Sequence, residues 1–190
     1  DAGGFRLEDN DPAGMRAALD YDDAAVRGVP IDLASGRAEP GRVVELPLAE
    51  YESRFAAYEM LAGVHIPGGG RLDLAAARDS LLRARDFFRD CLHKNLAGFC
   101  CRSWILNPDW QAELPNANLA RFQRAVHLFP LPPAPHCGEF FIFGKEPVDY
   151  AVAPADNAMQ RAFHHLRAAG RPLREGGMFL LPEEAGRFGD

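Results

Sequence analysis

The residues best suited to chemistry gather between Leu61 and Pro108, in the stretch LAGVHIPGGGRLDLAAARDSLLRARDFFRDCLHKNLAGFCCRSWILNP. His65 stands near the carboxyl end of a short apolar run, just before a glycine triplet, where a neutral imidazole can take a proton from an attacking amine. The plain alternative is a strand-end histidine bonded to backbone. Gly68, Gly69 and Gly70 can present backbone N–H groups to a phosphate, Arg71 adds a charged contact, and the start of the next helix adds partial positive charge. Against this, Asp73 puts a carboxylate at the same helix end, and a loop that merely joins strand to helix is the competing reading. Cys101 and Ser103 share one strand face by two-residue alternation, while Cys100, Arg102 and Trp104 share the other. If the two strands are neighbours, Cys101 or Ser103 approaches the imidazole. A thiol there is an acyl-accepting nucleophile, and either group can protonate a leaving thiolate. Otherwise a buried cysteine is an inert small hydrophobe. Glu139 follows His65 as a candidate base; its alternative is an exposed strand-edge carboxylate.

These groups must be held by a strand, loop, helix and strand. Leu74, Ala77, Leu81, Ala84, Phe88 and Cys91 recur at spacings of three and four, which predicts one buried helical stripe with Asp73 as N-cap. Apolar runs on either side predict strands, one from about Ala57 and one over Phe99 to Leu106. An amphipathic helix between two runs favours a right-handed crossover joining parallel strands near the centre of a mixed sheet. Ligands usually sit at the carboxyl ends of such strands.

Around this unit, Met15 to Tyr21, Ala24 to Ile31 and Val43 to Leu48 read as an antiparallel meander. Pro108 and Asp109 open a short helix that stops before Pro115, and Asn118 to Gln123 supplies another turn. Arg124 to Phe129, Glu139 to Phe143 and Gly177 to Leu181 are expected strands. A helix capped by Asp156 is expected to run to Ala169, with Ala158, Ala162, His165 and Ala169 on one stripe and Gly170 just past its end. Trp104 and Trp110 read as core anchors. His93, His127 and His136 are scattered, and His164 with His165 has no second ligand at i+4, so no metal is expected.

With 190 residues, about half of them apolar, the chain suits one core: residues 1–14 as a lead-in and 15–190 as one domain. It is acidic, with 27 Asp and Glu against 21 Lys and Arg, and its basic residues are dispersed, which argues against a nucleic-acid partner. No apolar run reaches the roughly 20 residues that span a bilayer, and no signal segment is evident. Cys91, Cys100, Cys101 and Cys137 lack the spacing of zinc or redox pairs, so reduced thiols and a cytoplasmic setting are expected. The opening at Asp1 rather than Met is expected of a piece of a longer protein.

Four ordered motifs carry a resemblance: V-H-I-P at Val64 to Pro67, F-C-C-R-S-W-I-L-N-P at Phe99 to Pro108, N-L-A-R-F-Q at Asn118 to Gln123, and M-Q-R-A-F-H-H-L-R-A-A-G at Met159 to Gly170. From about Ala25 onward the chain resembles the C-terminal domain of bacterial two-domain N-acyltransferases, in which a helical N-terminal domain precedes a GNAT-like domain. The resemblance implies an α+β fold with a mixed sheet, and places the central unit where GNAT enzymes hold the acyl-CoA pyrophosphate. It also implies a small-molecule substrate, and a helical partner domain outside residues 1–190. The loop departs from ordinary GNAT enzymes, whose Arg or Gln precedes spaced glycines; here Ile66 and Pro67 lead into three consecutive glycines. Two functions follow. One is acyl transfer from acyl-CoA or an acyl-carrier thioester to an amine, with Gly68, Gly69, Gly70 and Arg71 on phosphate, His65 as base, and Cys101 or Ser103 assisting. The other is a non-catalytic module that binds a metabolite or packs against the helical domain.

Overall fold

The fold is taken from a computed structural model that describes residues 19–32, 37–39, 41–55, 58–68, 72–171 and 173–189. Short strands come first: β1 (Asp20–Tyr21), β2 (Ala25–Gly28), β3 (Ile31–Asp32), β4 (Arg37–Ala38) and β5 (Val44–Pro47). The first, second and fifth form an antiparallel meander, residues 15–18 of its expected first strand lying outside the described residues, and β3 pairs with β4 as a separate small ribbon. The central unit follows as β6 (Leu61–Gly63), α1 (Leu74–Asp90) and β7 (Gly98–Ser103). Beyond it lie a 3₁₀ turn over Trp104–Leu106, α2 (Asp109–Glu113), α3 (Asn118–Arg124), β8 (His127–Pro133), α4 (Glu139–Phe143), α5 (Ala158–Ala168) and β9 (Arg174–Leu180). A second 3₁₀ turn, Ala185–Arg187, ends the described chain. No helix among the described residues is long and apolar enough to cross a membrane.

The principal sheet runs β6-β7-β9-β8, with β6 and β7 parallel and the other pairs antiparallel. The fold is thus mixed α+β around the expected crossover, but of the two parallel strands β6 stands at the edge of the sheet and only β7 is interior. The second apolar run is also shorter as a strand than its sequence implies, because the Ser103 side chain caps the 3₁₀ turn that takes over at Trp104. Helix α1 begins as its pattern predicts: Asp73 accepts a hydrogen bond from the Ala76 N–H at 2.8 Å. Leu74 and Leu81 are buried, and Ala77, Ala84 and Phe88 pack beside them against Ala62, Phe99, Met178 and Leu180 of the sheet. Cys91, the last position of the predicted stripe, is exposed, because α1 ends at Asp90.

Three other expectations change. Glu139 to Phe143 is a helix, not a strand; Gly138 and Gly144 flank it in the left-handed region (φ 86° and 71°), closing a single turn that an apolar run alone cannot distinguish from a strand. Arg124 closes α3, so the strand begins at His127, and the last strand begins earlier, at Arg174. Helix α5 is capped by Asn157 in a reciprocal box with Gln160, and its buried face is Gln160, Ala162, Phe163 and Leu166, with His165 exposed. That face joins Trp110, Leu119 and Leu173 in a second apolar cluster.

Backbone clearance couples β9 to the segment after β7. A Cβ built on Gly176 lies 1.9 Å from the Leu106 carbonyl oxygen, so the chain after β7 can cross β9 only over a glycine. Gly176→Ala is therefore expected to shift backbone on both sides and destabilise the fold by about 1–3 kcal/mol or more. Thermal unfolding checks this: a midpoint lowered by several degrees is expected, and an unchanged midpoint would show that the two segments part freely.

Candidate active site

β7 supplies the frame. Its partner β6 is in register Leu61↔Gly98 through Gly63↔Cys100, and the Val64 N–H continues the ladder by donating to the Cys100 carbonyl at 2.7 Å. Val64 therefore stands opposite Cys101, and alternation sends Ala62, Val64, Phe99 and Cys101 to the face covered by α1. Cys101 packs with Val64 and Ile66 against that core, and burial raises its thiol pKa. His65 is exposed and alternates to the other face, with Cys100 and Arg102. The proposed approach of His65 to Cys101 does not occur in this register. Ser103 is half-buried, and its hydroxyl caps the 3₁₀ turn by accepting from the Ile105 N–H at 3.5 Å. Gly68 is exposed, with open space where a Cβ would stand. Gly69, Gly70 and Arg71 lie outside the described residues.

A different histidine is assembled at the carboxyl end of β7. Trp104, the first residue beyond the strand, stacks on Phe141 with ring centroids 6.0 Å apart and planes 15° apart. Its indole also closes on Gly138, where a Cβ would meet ring atoms at 2.8 Å, so only glycine lets the following turn approach. That turn carries His136, itself in the left-handed region at φ 67°, a conformation that a non-glycine residue keeps only under constraint from its surroundings. The constraint is Glu139. Its carboxylate is fully buried, and His136 Nδ1 lies 2.9 Å from Oε2. The Val148 N–H donates to the same oxygen at 2.9 Å, and the Tyr150 hydroxyl donates to Oε1 at 2.9 Å. An ionised carboxylate only accepts, so this set selects the His136 tautomer with its proton on Nδ1 and a lone pair on Nε2. The Tyr150 hydroxyl is correspondingly held in its protonated form: burial first, then its bond to Glu139, pushes its pKa well above the ordinary phenol value.

Aromatic contacts hold this assembly from behind. Phe143 meets Tyr150 edge to face at 5.8 Å and Phe163 of α5 at 5.7 Å, while the Arg167 guanidinium lies 5.4 Å over the Tyr150 ring. In front, Phe140 and Phe141 are exposed and leave an apolar surface beside the histidine. Between His136 and Gly138, the Cys137 thiol is half-buried. Desolvation, and the neighbouring Glu175 carboxylate, push its pKa up to about 12, with Arg102 opposing. Arg102 and Glu175 form an ion pair on the β7–β9 face that also carries Cys100.

Two further histidines have carboxylate partners. His165 meets Glu113 at 2.6 Å on an exposed surface, and His127 meets Glu184 at 2.7 Å at the edge strand β8. Among the described residues, only His136 pairs with a carboxylate fully removed from water at the carboxyl end of the parallel pair. Its signal was present in the sequence as a histidine three residues before a glutamate, between glycine and proline turns. A strand over Glu139 to Phe143 hides that signal, since it turns the two side chains apart. No group of three His, Cys, Asp or Glu side chains able to hold a metal occurs among the described residues.

Residues 18–179 match the family of GNAT-like C-terminal domains. The chain belongs to that family. Its fold is similar to a crystal structure of an acyltransferase in complex with decanoyl-CoA and teicoplanin, at 20% identity and a TM-score of 0.56, covering 86% of this chain and 46% of that one. Acyltransferase complexes with CoA and 10C-teicoplanin (TM-score 0.56) and with decanoyl-CoA (0.53) match at the same identity and coverage. The chain thus spans about half the length of the solved proteins it matches, and it has no match among curated proteins.

The thiols report on this geometry directly. At pH 8 a pKa of about 12 leaves Cys137 roughly 10⁻⁴ ionised, while Cys91 is exposed on the far end of α1. Iodoacetamide followed by peptide mass mapping is expected to label Cys91 first and Cys137 last; early labelling of Cys137 would mean that the turn is open.

Proposed function

We propose that the chain is the acyl-transferring domain of a longer N-acyltransferase, which moves an acyl group from acyl-CoA, or an acyl-carrier thioester, to an amine on a small molecule. The observation that carries this is the His136–Glu139 pair, an imidazole oriented by a fully buried carboxylate on a GNAT-like fold. His136 Nε2 accepts a proton as the amine nitrogen attacks the thioester carbonyl carbon. The C–N bond forms, the C–S bond of the tetrahedral intermediate breaks, and the imidazolium returns the proton to the departing thiolate. Glu139 is a positioning residue that fixes the tautomer and stabilises the transient imidazolium. The exposed Phe140 and Phe141 suit an apolar acyl chain or acceptor face.

Gly68, Gly69, Gly70 and Arg71 are assigned to the donor phosphates, supported by their place in the sequence shortly before α1. His65 becomes the second candidate base, since it lies on the face of Arg102 but no partner orients it among the described residues. Cys101 and Ser103 are assigned packing and capping. Four free cysteines fit a cytoplasmic protein, and the half-length match fits a partner domain in the same polypeptide.

His136→Ala in the full-length protein is expected to lower acyl transfer from acyl-CoA by the 10²–10⁴ of a lost general base, with CoA still shifting the melting temperature. Glu139→Gln should lose less, because the amide still accepts from His136 through its oxygen. His65→Ala should stay within a few-fold of wild type. Activity surviving in His136→Ala but lost in His65→Ala would reverse the assignment, and absence of any CoA-induced shift would favour a non-catalytic module.

A further inference from the structure

The sheet β1-β2-β5 has two unlike faces. The registers Asp20↔Arg27, Tyr21↔Val26, Val26↔Leu46, Arg27↔Glu45 and Gly28↔Val44 put cross-strand partners on a common side, and successive residues alternate between sides. One face carries Asp20, Arg27 and Glu45 and is satisfied by its own ion pairs: Arg27 Nε lies 2.6 Å from Glu45, and the same guanidinium holds Asp22. The other face carries Tyr21, Val26, Val44 and Leu46. Leu48 extends it, since its N–H continues the ladder by donating to the Ala24 carbonyl at 2.8 Å, and Leu19 precedes Tyr21 by the same two-residue step. None of these six belongs to either apolar cluster of the described residues. Leu19, Tyr21, Leu46 and Leu48 are 37–65% exposed. A three-stranded sheet needs its apolar face packed on another element to be stable, yet here the satisfied face is the polar one.

We infer that this apolar face is where the preceding part of the longer polypeptide docks. The inference rests on the reading of the chain as one domain of a longer enzyme, and adds where the other part sits. The family matched over residues 18–179 is one of C-terminal domains, and the chain covers 46% of the solved proteins it matches, which favours an occupant from the sequence before it. β1 is the first described strand, and Leu19 at its entry lies on the face itself, so a preceding domain is delivered to it. Six side chains are also few beside the ~800 Å² that each partner gives in a standard complex of free molecules. A segment already tethered at Leu19 associates within one molecule and needs less surface than a second copy would.

Thiol labelling of the full-length protein tests this, using a maleimide and peptide mass mapping on Tyr21→Cys and Leu46→Cys. The control is Val43→Cys, because Val43 is 69% exposed and alternates to the side of Glu45. The new thiols of Tyr21→Cys and Leu46→Cys are expected to react about tenfold or more slowly than that of Val43→Cys, since access governs thiol labelling. Adding Leu46→Asp to Tyr21→Cys should abolish the protection by placing a charge in the docked face, while slow labelling of Cys137 shows that the fold is kept. Should Cys137 react early there, the three single variants decide alone. Equal rates in all three, or protection that Leu46→Asp leaves in place, overturn the inference. Protection that vanishes on dilution, together with a dimer mass, assigns the face to a second copy and overturns it as well. An intact mass that leaves no domain before this chain removes the longer-polypeptide reading and this inference with it. Protection in a protein whose melting temperature CoA does not shift supports the docking and sinks only the acyl-CoA reading.

Discussion

A carboxylate taken out of water must find donors inside the fold, and at Glu139 that requirement organises the whole segment after β8. Removing an ionised carboxylate from solvent costs several kcal/mol unless its oxygens are bonded. The chain meets the cost from both sides: His136 from the turn before α4, and Val148 and Tyr150 from the loop after it. Bringing those three to one carboxylate requires a single helical turn closed by glycine at each end, which is the conformation found. The orientation of His136 and the local stability are therefore one arrangement, and loosening any donor disturbs both. Breaking one partner leaves the charge buried and poorly paired, which is worse than never having buried it.

The sheet contributes placement rather than chemistry. Since β6 and β7 are parallel and directly paired, a residue on one strand shares its face with its register partner on the other. That rule sends Cys101 inward with Val64 and leaves His65 on the opposite face. It also leaves the carboxyl end of β7 free to deliver Trp104, against which Gly138 packs. The close approach of Gly176 to the Leu106 carbonyl fixes where the chain goes after Trp104. The placement of His136 thus passes from the register of two strands through two glycines, each required because a Cβ would occupy the space of a neighbour.

These layers were unequally legible in the sequence. The stripe from Leu74 to Phe88 and the cap at Asp73 were readable because helical periodicity sustained over about four turns has no competing interpretation. The face of His65 was also readable in principle, since Ala62, Val64 and Ile66 alternate with it as apolar residues; pairing it with Cys101 needed a register that no local pattern supplies. Glu139 to Phe143 misled because four apolar residues in a row satisfy a strand and a helical turn equally. Only the tertiary demand of the buried carboxylate, with Gly138 and Gly144 in the left-handed region, decides for the helix. Pairings such as His127 with Glu184, 57 positions apart, leave no mark in the sequence at all.

Charge gives the same lesson at longer range. An acidic chain is a poor general attractor for an anionic donor, yet at physiological ionic strength its net charge is screened beyond about 8 Å. What an incoming phosphate meets is the local field, and that depends on which charges are already neutralised by a neighbour. Beside α3, Glu183 and Glu184 both have partners while the Arg121 and Arg187 guanidiniums have none among the described residues, so the local sign opposes the global one. Around His136 the reverse holds: the nearest surface is the aromatic pair Phe140 and Phe141, which offers little to a charged group.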